Sequence, residues 1–374
     1  MSWPTEKLES LCSRVTSGGT PSRTNPDFYV REGIPWVKTQ ELTDNWVWHT
    51  SEHISEDAML TSSAKLLPES TVLIAMYGAT AGKLGLLAAE MACNQACCAL
   101  VADPRKSDPR YLFYAILNSR DELKNLANGA AQQNLSGRLI KQFRVPAPPV
   151  SIQRAIAGVL GVLDDKIAAN ERVANAALNV ARALYEEASL RDGESAELGE
   201  MVALKYGKAL REPDRRPGPV PVYGCTGQVG WHDSSLTSSA GPVVGRKGAN
   251  AGWISWSPRS SWIIDTAFFA ETLREYLSPE LAFLMLETAH LPGLVGDSAV
   301  PGLNRDTAHR HLVKVPSPLI AQELSERVRP LIRRSTQTQE ETHTLAALRD
   351  TLLPQLMSGK LRVRDAEKIV EGAV

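Results

Sequence analysis

Two long stretches of the chain place apolar residues at alternating steps of three and four, a pattern typical of helices that pair with another helix. The first stretch, residues 151–189, contains no proline. Its apolar positions are Ile152, Ile156, Val159, Leu163, Val173, Ala177, Val180 and Leu184. The second stretch begins near residue 320, with apolar positions at Leu324, Val328, Leu331, Leu345, Leu352 and Leu356. Seams this narrow predict a coiled coil.

Both seams become polar near their middle. The polar positions are Lys166 and Asn170 in the first helix and Ser335, Thr338 and Thr342 in the second. If the helices pair antiparallel, these stretches meet and fix the register at some cost in stability. Pro330 lies inside the second helix, where a proline costs about 3 kcal/mol, so we expect a kink or stagger there. We favour the antiparallel pair over two surface helices that pack separately on their own domains.

Short β-prone runs bounded by turn residues precede each long helix. They lie at 34–37 and 71–76 in the first part of the chain, and at 220–223, 241–244, 253–256 and 262–264 in the second. Shorter helices are expected after Pro109 and Pro279, because proline favours the first helical turn. The predicted fold class is α+β, with two tandem globular domains, each followed by a long helix of an antiparallel coiled coil.

The chain also repeats itself at a spacing of about 170 residues. The matches are Val145-Pro146-Ala147-Pro148 with Val315-Pro316-Ser317-Pro318, Gly82 with Gly252, Pro109 with Pro279, Phe113 with Phe283, Asn134 with Asn304, and, one residue further out of step, Asn94-Gln95-Ala96 with Asp265-Thr266-Ala267. Two copies of one unit predict domains at 1–150 and 195–317, spacer helices at 151–190 and 318–359, and a tail at 360–374.

Composition narrows the class of protein. Apolar residues make up 43% of the 374 residues and charged residues 22%, with a net charge of −1. This balance argues against a broad basic surface that grips nucleic acid alone, but it allows local basic patches. We expect neither a membrane span nor a signal peptide, because no apolar run is long enough and the first residues are polar. Five irregularly spaced cysteines indicate reduced thiols in a cytoplasmic protein.

No catalytic motif is evident. The segment 78–83 is close to a phosphate-binding loop, but it has three residues between its glycines instead of four, and Leu84 follows the lysine where Ser or Thr would hold magnesium. His49 and His53 have the spacing of metal ligands, yet no third ligand lies near them. The sequence therefore predicts a non-catalytic protein without a metal site.

A set of short motifs resembles one family. In the first domain they are Thr20-Pro21-Ser22, Gly33-Ile34-Pro35-Trp36-Val37-Lys38-Thr39, Tyr77-Gly78-Ala79-Thr80-Ala81-Gly82, Asn94-Gln95-Ala96 and Gln133-Asn134-Leu135, followed by the Val-Pro-Ala-Pro-Pro entry and Gln153. Their order and spacing resemble the specificity subunit of a type I restriction-modification system over almost the whole chain. The second domain departs from the pattern: it has no Ile-Pro-Trp element, and Gly302-Leu303-Asn304 replaces Gln133-Asn134-Leu135.

The resemblance implies a function. Each domain of such a subunit reads one half of a split, asymmetric target in double-stranded DNA, while the helices act as a spacer and dock modification subunits. Those subunits carry S-adenosylmethionine and methylate an adenine that is flipped out of the duplex. A restriction subunit adds ATP- and magnesium-dependent translocation and cleavage. The chain itself is then expected to hold no cofactor.

The candidate DNA contacts are polar residues in loops after strands or before a helix. They are Lys38, Thr39, Lys83, Gln132 and Gln133 in the first domain, and Tyr223, Arg246, Lys247, Asn250 and Asn304 in the second. Arg246 can read guanine with two hydrogen bonds. We expect Lys83 of the first domain to correspond in position to Arg246 and Lys247 of the second. These residues would differ between the domains where DNA is read. The spacer and docking candidates are Ile156, Leu163, Lys166, Asn170, Leu331, Thr338 and Leu345.

Helices of about 38 residues span about 57 Å, which exceeds one duplex turn of about 34 Å. Two half-sites separated by an unread gap are therefore expected. Two other classes of protein remain open: an adaptor built from two repeats that binds proteins without DNA, and an enzyme of unrecognised type.

Overall fold

The computed structural model describes residues 3–128, 134–296 and 301–374. The chain divides into two compact units, which we call unit 1 (Met1–Ala168 with Thr342–Val374) and unit 2 (Ala169–Glu341). Each unit contains a globular α+β part and one half of each long helix. The predicted fold class is confirmed.

Unit 1 builds three sheets and several short helices. Its strands are β1 (Thr5–Lys7), β2 (Cys12–Ser17), β3 (Tyr29–Val30), β4 (Ile34–Val37), β5 (Asn45–Val47), β6 (His53–Ile54), β7 (Val72–Ala75), β8 (Leu84–Leu87), β9 (Ala92–Cys93), β10 (Cys97–Ala102) and β11 (Arg144–Pro146). Its shorter helices are α1 (Leu8–Leu11), α2 (Glu56–Thr61), α3 (Pro109–Asn118), α4 (Arg120–Asn128) and α5 (Gly137–Gln142). The sheet orders are β2-β10-β7-β8-β5, β3-β6-β4-β9 and β1-β11.

Unit 2 repeats this frame after the first long helix, α6 (Val150–Asp192). Its strands are β12 (Gly193–Glu197), β13 (Val202–Tyr206), β14 (Val220–Gly224), β15 (Gly227–His232), β16 (Gly241–Gly245), β17 (Ile254–Ser257), β18 (Trp262–Ile263), β19 (Ala267–Thr272) and β20 (Leu312–Pro316). Its helices are α7 (Leu198–Met201), α8 (Pro279–Thr288) and α9 (Arg305–His309), before the second long helix α10 (Pro318–Met357). The sheet orders are β13-β19-β16-β17, β15-β14-β18 and β12-β20.

The strand pairing of the two units matches beyond the part that the sequence repeat predicts. Strand β4 pairs parallel with β9 and antiparallel with β6, and β14 pairs parallel with β18 and antiparallel with β15. The Val-Pro-Val run of β14 therefore occupies the place of Ile34-Pro35-Trp36, although the sequence showed no such element. The repeat spacing of about 170 residues does not align β14 with β4, because unit 1 has extra chain between β4 and β7 that includes β5 and α2.

Equivalent helices begin with the same chemistry in both units. The side chain of Asp108 accepts a hydrogen bond from the Tyr111 amide at the start of α3, and Ser278 does the same for Leu281 in α8. A proline follows each cap, where its missing N–H costs nothing. Helices are thus present after Pro109 and Pro279, as predicted, and both bury an apolar face in the core of their own unit.

The long helices pair antiparallel within each unit. In unit 1 the start of α6 shares a core with the end of α10, represented by Ile156 and Leu356. In unit 2 the end of α6 shares a core with the start of α10, represented by Tyr185 and Leu324. Helix α10 continues as one helix through Pro330, where a kink or stagger stays a prediction.

The seam of α6 differs from the predicted one in its second half. The predicted Val173 and Val180 are 39% and 50% exposed, whereas the predicted Ala177 is buried together with Ala174 and Ala181. Steps of four, three and four residues from the buried Asn170 lead to these three alanines. The valines were predicted because their side chains are larger and more apolar, but the positions that continue the helical repeat are the alanines.

The last residues form a helix, α11 (Val363–Glu371). Ala366 and Val370 of this helix are buried and belong to the core of unit 1. The segment assigned as a tail therefore contributes to packing.

Candidate nucleic-acid interface

A glycine-rich turn, which we call the glycine turn, follows the same central strand in both units. It spans residues 78–83 in unit 1 and 248–253 in unit 2, with the sequences Gly-Ala-Thr-Ala-Gly-Lys and Gly-Ala-Asn-Ala-Gly-Trp. The amide of Gly82 donates to the Ala75 carbonyl and that of Gly252 to the Gly245 carbonyl, both at 2.8 Å. Gly82 and Gly252 have φ values of +80° and +83°, which favour glycine. The two turns share one backbone conformation and differ in side chains.

Other main-chain hydrogen bonds correct the residue correspondence that was inferred from the sequence. Asn94 donates its amide to Val37 and Ile264 donates to Tyr223, each at 2.9 Å, so Asn94 corresponds to Ile264 and not to Asp265. Lys83 and Trp253 occupy the same end of the glycine turn, since their amides donate to Thr80 and Asn250. Lys83 therefore does not correspond in position to Arg246 or Lys247.

Lys38 lies directly after β4 in a cluster with one carboxylate. Its Nζ donates to Glu52 Oε1 at 2.7 Å, and Arg23 approaches Oε2 of the same carboxylate at 2.7 Å. The hydrogen bond from Lys38, together with that from Arg23, holds the pKa of Glu52 below its ordinary value. The Arg23 guanidinium stacks 4.0 Å from the centroid of the Tyr29 ring. Thr39 is only 6% exposed, so its side chain is not available to a ligand in this conformation.

Lys83 is held by a second carboxylate of unit 1. Its Nζ donates to Asp44 Oδ2 at 2.7 Å, while Asp44 Oδ1 accepts from the Leu84 amide at 2.9 Å and from Arg120. The Lys83 side chain remains 44% exposed. Lys83 thus stays a candidate DNA contact at the end of the glycine turn. The other two candidates of this domain, Gln132 and Gln133, lie outside the described residues.

The unit 2 candidates fall into different environments. Tyr223 is buried, and burial raises the pKa of its hydroxyl. Asn304 caps α9, because its Oδ1 accepts from the amides of Asp306 and Thr307 at 2.9 and 3.0 Å. Asn250 lies in the glycine turn, and the side chain of Lys247 is exposed. Asn304 thus has a structural role that its position before a helix could have indicated.

Arg246 belongs to a cluster that sequence reasoning did not find. Its guanidinium carbon lies 4.7 Å from the centroid of the Tyr206 ring, and that of Arg305 lies 5.0 Å from the same ring. Arg246 also donates through Nη1 to the main-chain oxygen of Asp265 at 3.1 Å. These residues come from three distant segments, so only the tertiary fold brings them together.

The helix candidates mostly face the seam. Ile156, Leu163 and Leu345 are buried in the core of unit 1, and the polar Asn170 and Thr338 are buried in unit 2. Lys166 and Leu331 are half-buried. In unit 1 the buried Asp164 accepts from Arg349 at 2.9 Å and from the Tyr114 hydroxyl at 2.5 Å. Burial alone would lower the pKa of Arg349, but Asp164 raises it above its ordinary value.

Other kinds of site receive no support from the described part of the chain. Among those residues no group of His, Cys, Asp and Glu side chains is arranged to hold a metal ion. No helix there has both the length and the apolar run that crossing a membrane requires. The five cysteines are free, and burial raises the pKa of Cys12 and of Cys98 to about 12, which makes these thiols poor nucleophiles.

Comparison with known proteins identifies relatives. A family model described as the type I restriction modification DNA specificity domain matches residues 2–179. The EcoR124I/EcoR124II specificity subunit of Escherichia coli is 24% identical over 39% of this chain and 37% of its own length. The EcoprrI specificity subunit of Escherichia coli is 22% identical over 77% of this chain and 78% of its own length. The chain thus matches well under half of the first of these relatives.

The fold has a counterpart of known structure. The S subunit of a type I restriction-modification system from M. genitalium superposes with a TM-score of 0.63 at 20% identity, covering 95% of this chain and 96% of that one. This likeness concerns the fold alone. The family match covers residues 2–179, so this part of the chain is similar in sequence to the type I restriction modification DNA specificity domain, and the chain as a whole is similar in fold to an S subunit of such a system.

Proposed function

We propose that this chain is the DNA-recognition subunit of a type I restriction-modification complex, and that each unit reads one half of a bipartite, asymmetric target. The observation that carries the proposal is that the two units share one backbone frame but have different side chains at equivalent positions. The glycine turns share their hydrogen bonds, yet they end in Lys83 in unit 1 and in Trp253 in unit 2. Two copies of one frame that read different sequences need this combination.

The features that the two half-sites share, and those in which they differ, suggest which residues contact the DNA backbone and which contact bases. Both halves of a target present the same sugar-phosphate backbone, whereas their base edges differ. Elements that are identical in the two units are therefore suited to the backbone, and elements that differ are suited to bases. The candidates from the sequence that remain accessible or half-accessible in their units are Lys38, Lys83, Arg246, Lys247, Asn250 and the helix cap Asn304.

The chain is proposed to act without catalytic groups of its own. Modification subunits would dock on the long helices and bring S-adenosylmethionine, and restriction subunits would bring ATP and magnesium. A net charge of −1 supports shared phosphate contacts, because a subunit that binds DNA alone relies on a strongly basic surface. Five free thiols support a cytoplasmic location.

The direct test is methylation mapping. The full chain is co-expressed with its modification subunits in a host that lacks other adenine methylation, and methylated adenines are located by single-molecule sequencing. We expect one split motif with a gap of constant length. No adenine methylation above the level of the modification subunits alone would contradict the proposal. An electrophoretic shift of DNA by the same complex separates this function from a DNA-independent adaptor, which produces no shift even at low salt.

The helical spacer makes a second test possible. Inserting one heptad of seven residues into α6 between Ala168 and Ala169, and another into α10 between Glu341 and Thr342, keeps the seam in register. Each insertion adds about 10 Å of helix, or about three base pairs. We expect the gap to lengthen by about that amount while both half-sites stay the same. An unchanged gap in a complex that still methylates would refute the role of the helices as a ruler.

A further inference from the structure

Two arginines from distant parts of unit 2 share one tyrosine ring. Tyr206 ends β13, Arg246 directly follows β16, and Arg305 begins α9. Their guanidinium carbons lie 4.7 and 5.0 Å from the centroid of the Tyr206 ring, which is within the range of cation–π attraction. The ring is 49% exposed and contacts the buried Phe268 at a centroid distance of 5.0 Å. A core residue thus anchors an accessible cationic cluster.

The positive charge of this cluster is poorly compensated. Arg246 bonds a main-chain oxygen and forms no ion pair within the described part of the chain. Arg305 approaches the Asp306 carboxylate only to 3.6 Å, and that side chain is 72% exposed. In unit 1, by contrast, Glu52 lies 2.7 Å from both Lys38 and Arg23. An electron-rich ligand would relieve the repulsion between the two guanidinium groups of unit 2.

Unit 1 has none of the three side chains at the equivalent positions. Tyr206 precedes Gly207 as Ser17 precedes Gly18, and both glycine amides donate at 3.3 Å to the first residue of the neighbouring strand. Arg246 corresponds to the buried Met76, because their amides donate to Thr266 and Ala96 at 2.8 Å. Arg305 follows the capping Asn304 as Gly137 follows the capping Ser136. The cluster is therefore confined to unit 2.

We propose that Arg246 and Arg305, held against Tyr206, read a guanine in the second half-site; this inference rests on the proposed function. Stacking on Tyr206 and the bond to Asp265 fix the plane of the Arg246 guanidinium. A planar fork held in this way matches the O6 and N7 acceptors of guanine in the major groove. A phosphate contact is disfavoured, because the backbone is common to both half-sites and the cluster is confined to unit 2.

The test uses the full chain in complex with its modification subunits and DNA duplexes that carry the mapped target. Replacing the recognised guanine by 7-deazaguanine removes only the N7 acceptor. We expect this change to weaken wild-type binding about 10-fold or more. Arg246→Ala and Arg305→Ala should weaken binding to the unmodified duplex and make the complex insensitive to 7-deazaguanine.

The exposed Arg310, at the end of α9, provides the matched control: Arg310→Ala should behave as wild type. An equal loss of affinity for every sequence in the Arg246 and Arg305 variants, with sensitivity to 7-deazaguanine retained, would overturn the inference in favour of a phosphate contact. Insensitivity of the wild-type complex to 7-deazaguanine at every guanine of the second half-site would also overturn it. If the wild-type complex recognises no split target at all, the proposed function fails instead.

Discussion

Units 1 and 2 have the same frame but surround their candidate DNA-contact cations with different charges. In unit 1, the chain between β4 and β7 supplies Asp44 and Glu52, which pair with Lys83 and Arg120 and with Lys38 and Arg23. The corresponding stretch of unit 2 is shorter, and Arg246 has no carboxylate partner among the described residues. The longer connection between β4 and β6 thus changes the charge that a shared scaffold presents to a ligand.

The ion pairs made by α6 differ between the units as well. In unit 1, Asp164 of α6 bonds to Arg349 of α10 and to Tyr114 of α3 in a largely buried network. In unit 2, Arg182 of α6 forms a two-point pair with Glu287 of α8, with bonds of 2.6 and 2.9 Å, and Arg182 is more than one-third exposed. Buried and exposed ion pairs respond differently to substitution, so this contrast is measurable.

The largest expected effect concerns these two networks. Asp164→Ala removes the acceptor of both Arg349 and Tyr114, leaves Arg349 only the exposed Asp350, and should lower the free energy of unfolding of unit 1 by about 3 kcal/mol. Arg182→Ala should cost unit 2 about 1 kcal/mol or less, since water screens its charge. Hydrogen exchange followed by mass spectrometry reports each unit separately. Equal losses in the two units would show that the difference in burial has no energetic consequence.

The glycine turns offer a comparison at one backbone position. Alanine at either site must adopt a positive φ, which costs about 1–2 kcal/mol. A Cβ on Gly252 would lie 2.5 Å from the main-chain nitrogen of Pro292, whereas one on Gly82 would meet the flexible end of Lys124 at 2.5 Å. We therefore expect Gly252→Ala to destabilise its unit by about 1 kcal/mol more than Gly82→Ala. Thermal unfolding of the two variants measures the difference, and a reversed order would contradict the packing described for the two turns.

The smallest effect is the acid response of unit 1. Because Lys38 and Arg23 hold the pKa of Glu52 below its ordinary value of 4.5, this carboxylate stabilises the fold above that pH. The contribution is lost as the pH falls through the lowered pKa, and it should amount to less than about 1 kcal/mol because the group is partly solvated. Glu52→Gln should flatten the stability of unit 1 between neutral and acid pH. A variant with the full wild-type slope would assign the acid response to other carboxylates.

Sequence reasoning recovered the features that have a local period or a fixed spacing. The paired helices, the proline-led helices α3 and α8 and the glycine turns follow from such patterns. It misplaced the seam at Val173 and Val180, and, although it placed a strand at 220–223, it missed that this strand corresponds to β4, because longer connections in unit 1 break the spacing of the repeat. The cluster of Tyr206, Arg246 and Arg305 has no sequence signal, since three separate segments form it. Likewise, nothing local indicates that Thr39 is buried while Lys83 stays exposed.

The central claim is that each unit reads its own half-site. Its most direct test replaces residues 202–316, from β13 to β20, by residues 12–146, the equivalent span of unit 1. Methylation mapping of the complex containing this chain should give a split motif in which the half-site of unit 1 occurs twice. A motif that keeps the second half-site of the wild type would show that unit 2 does not read it.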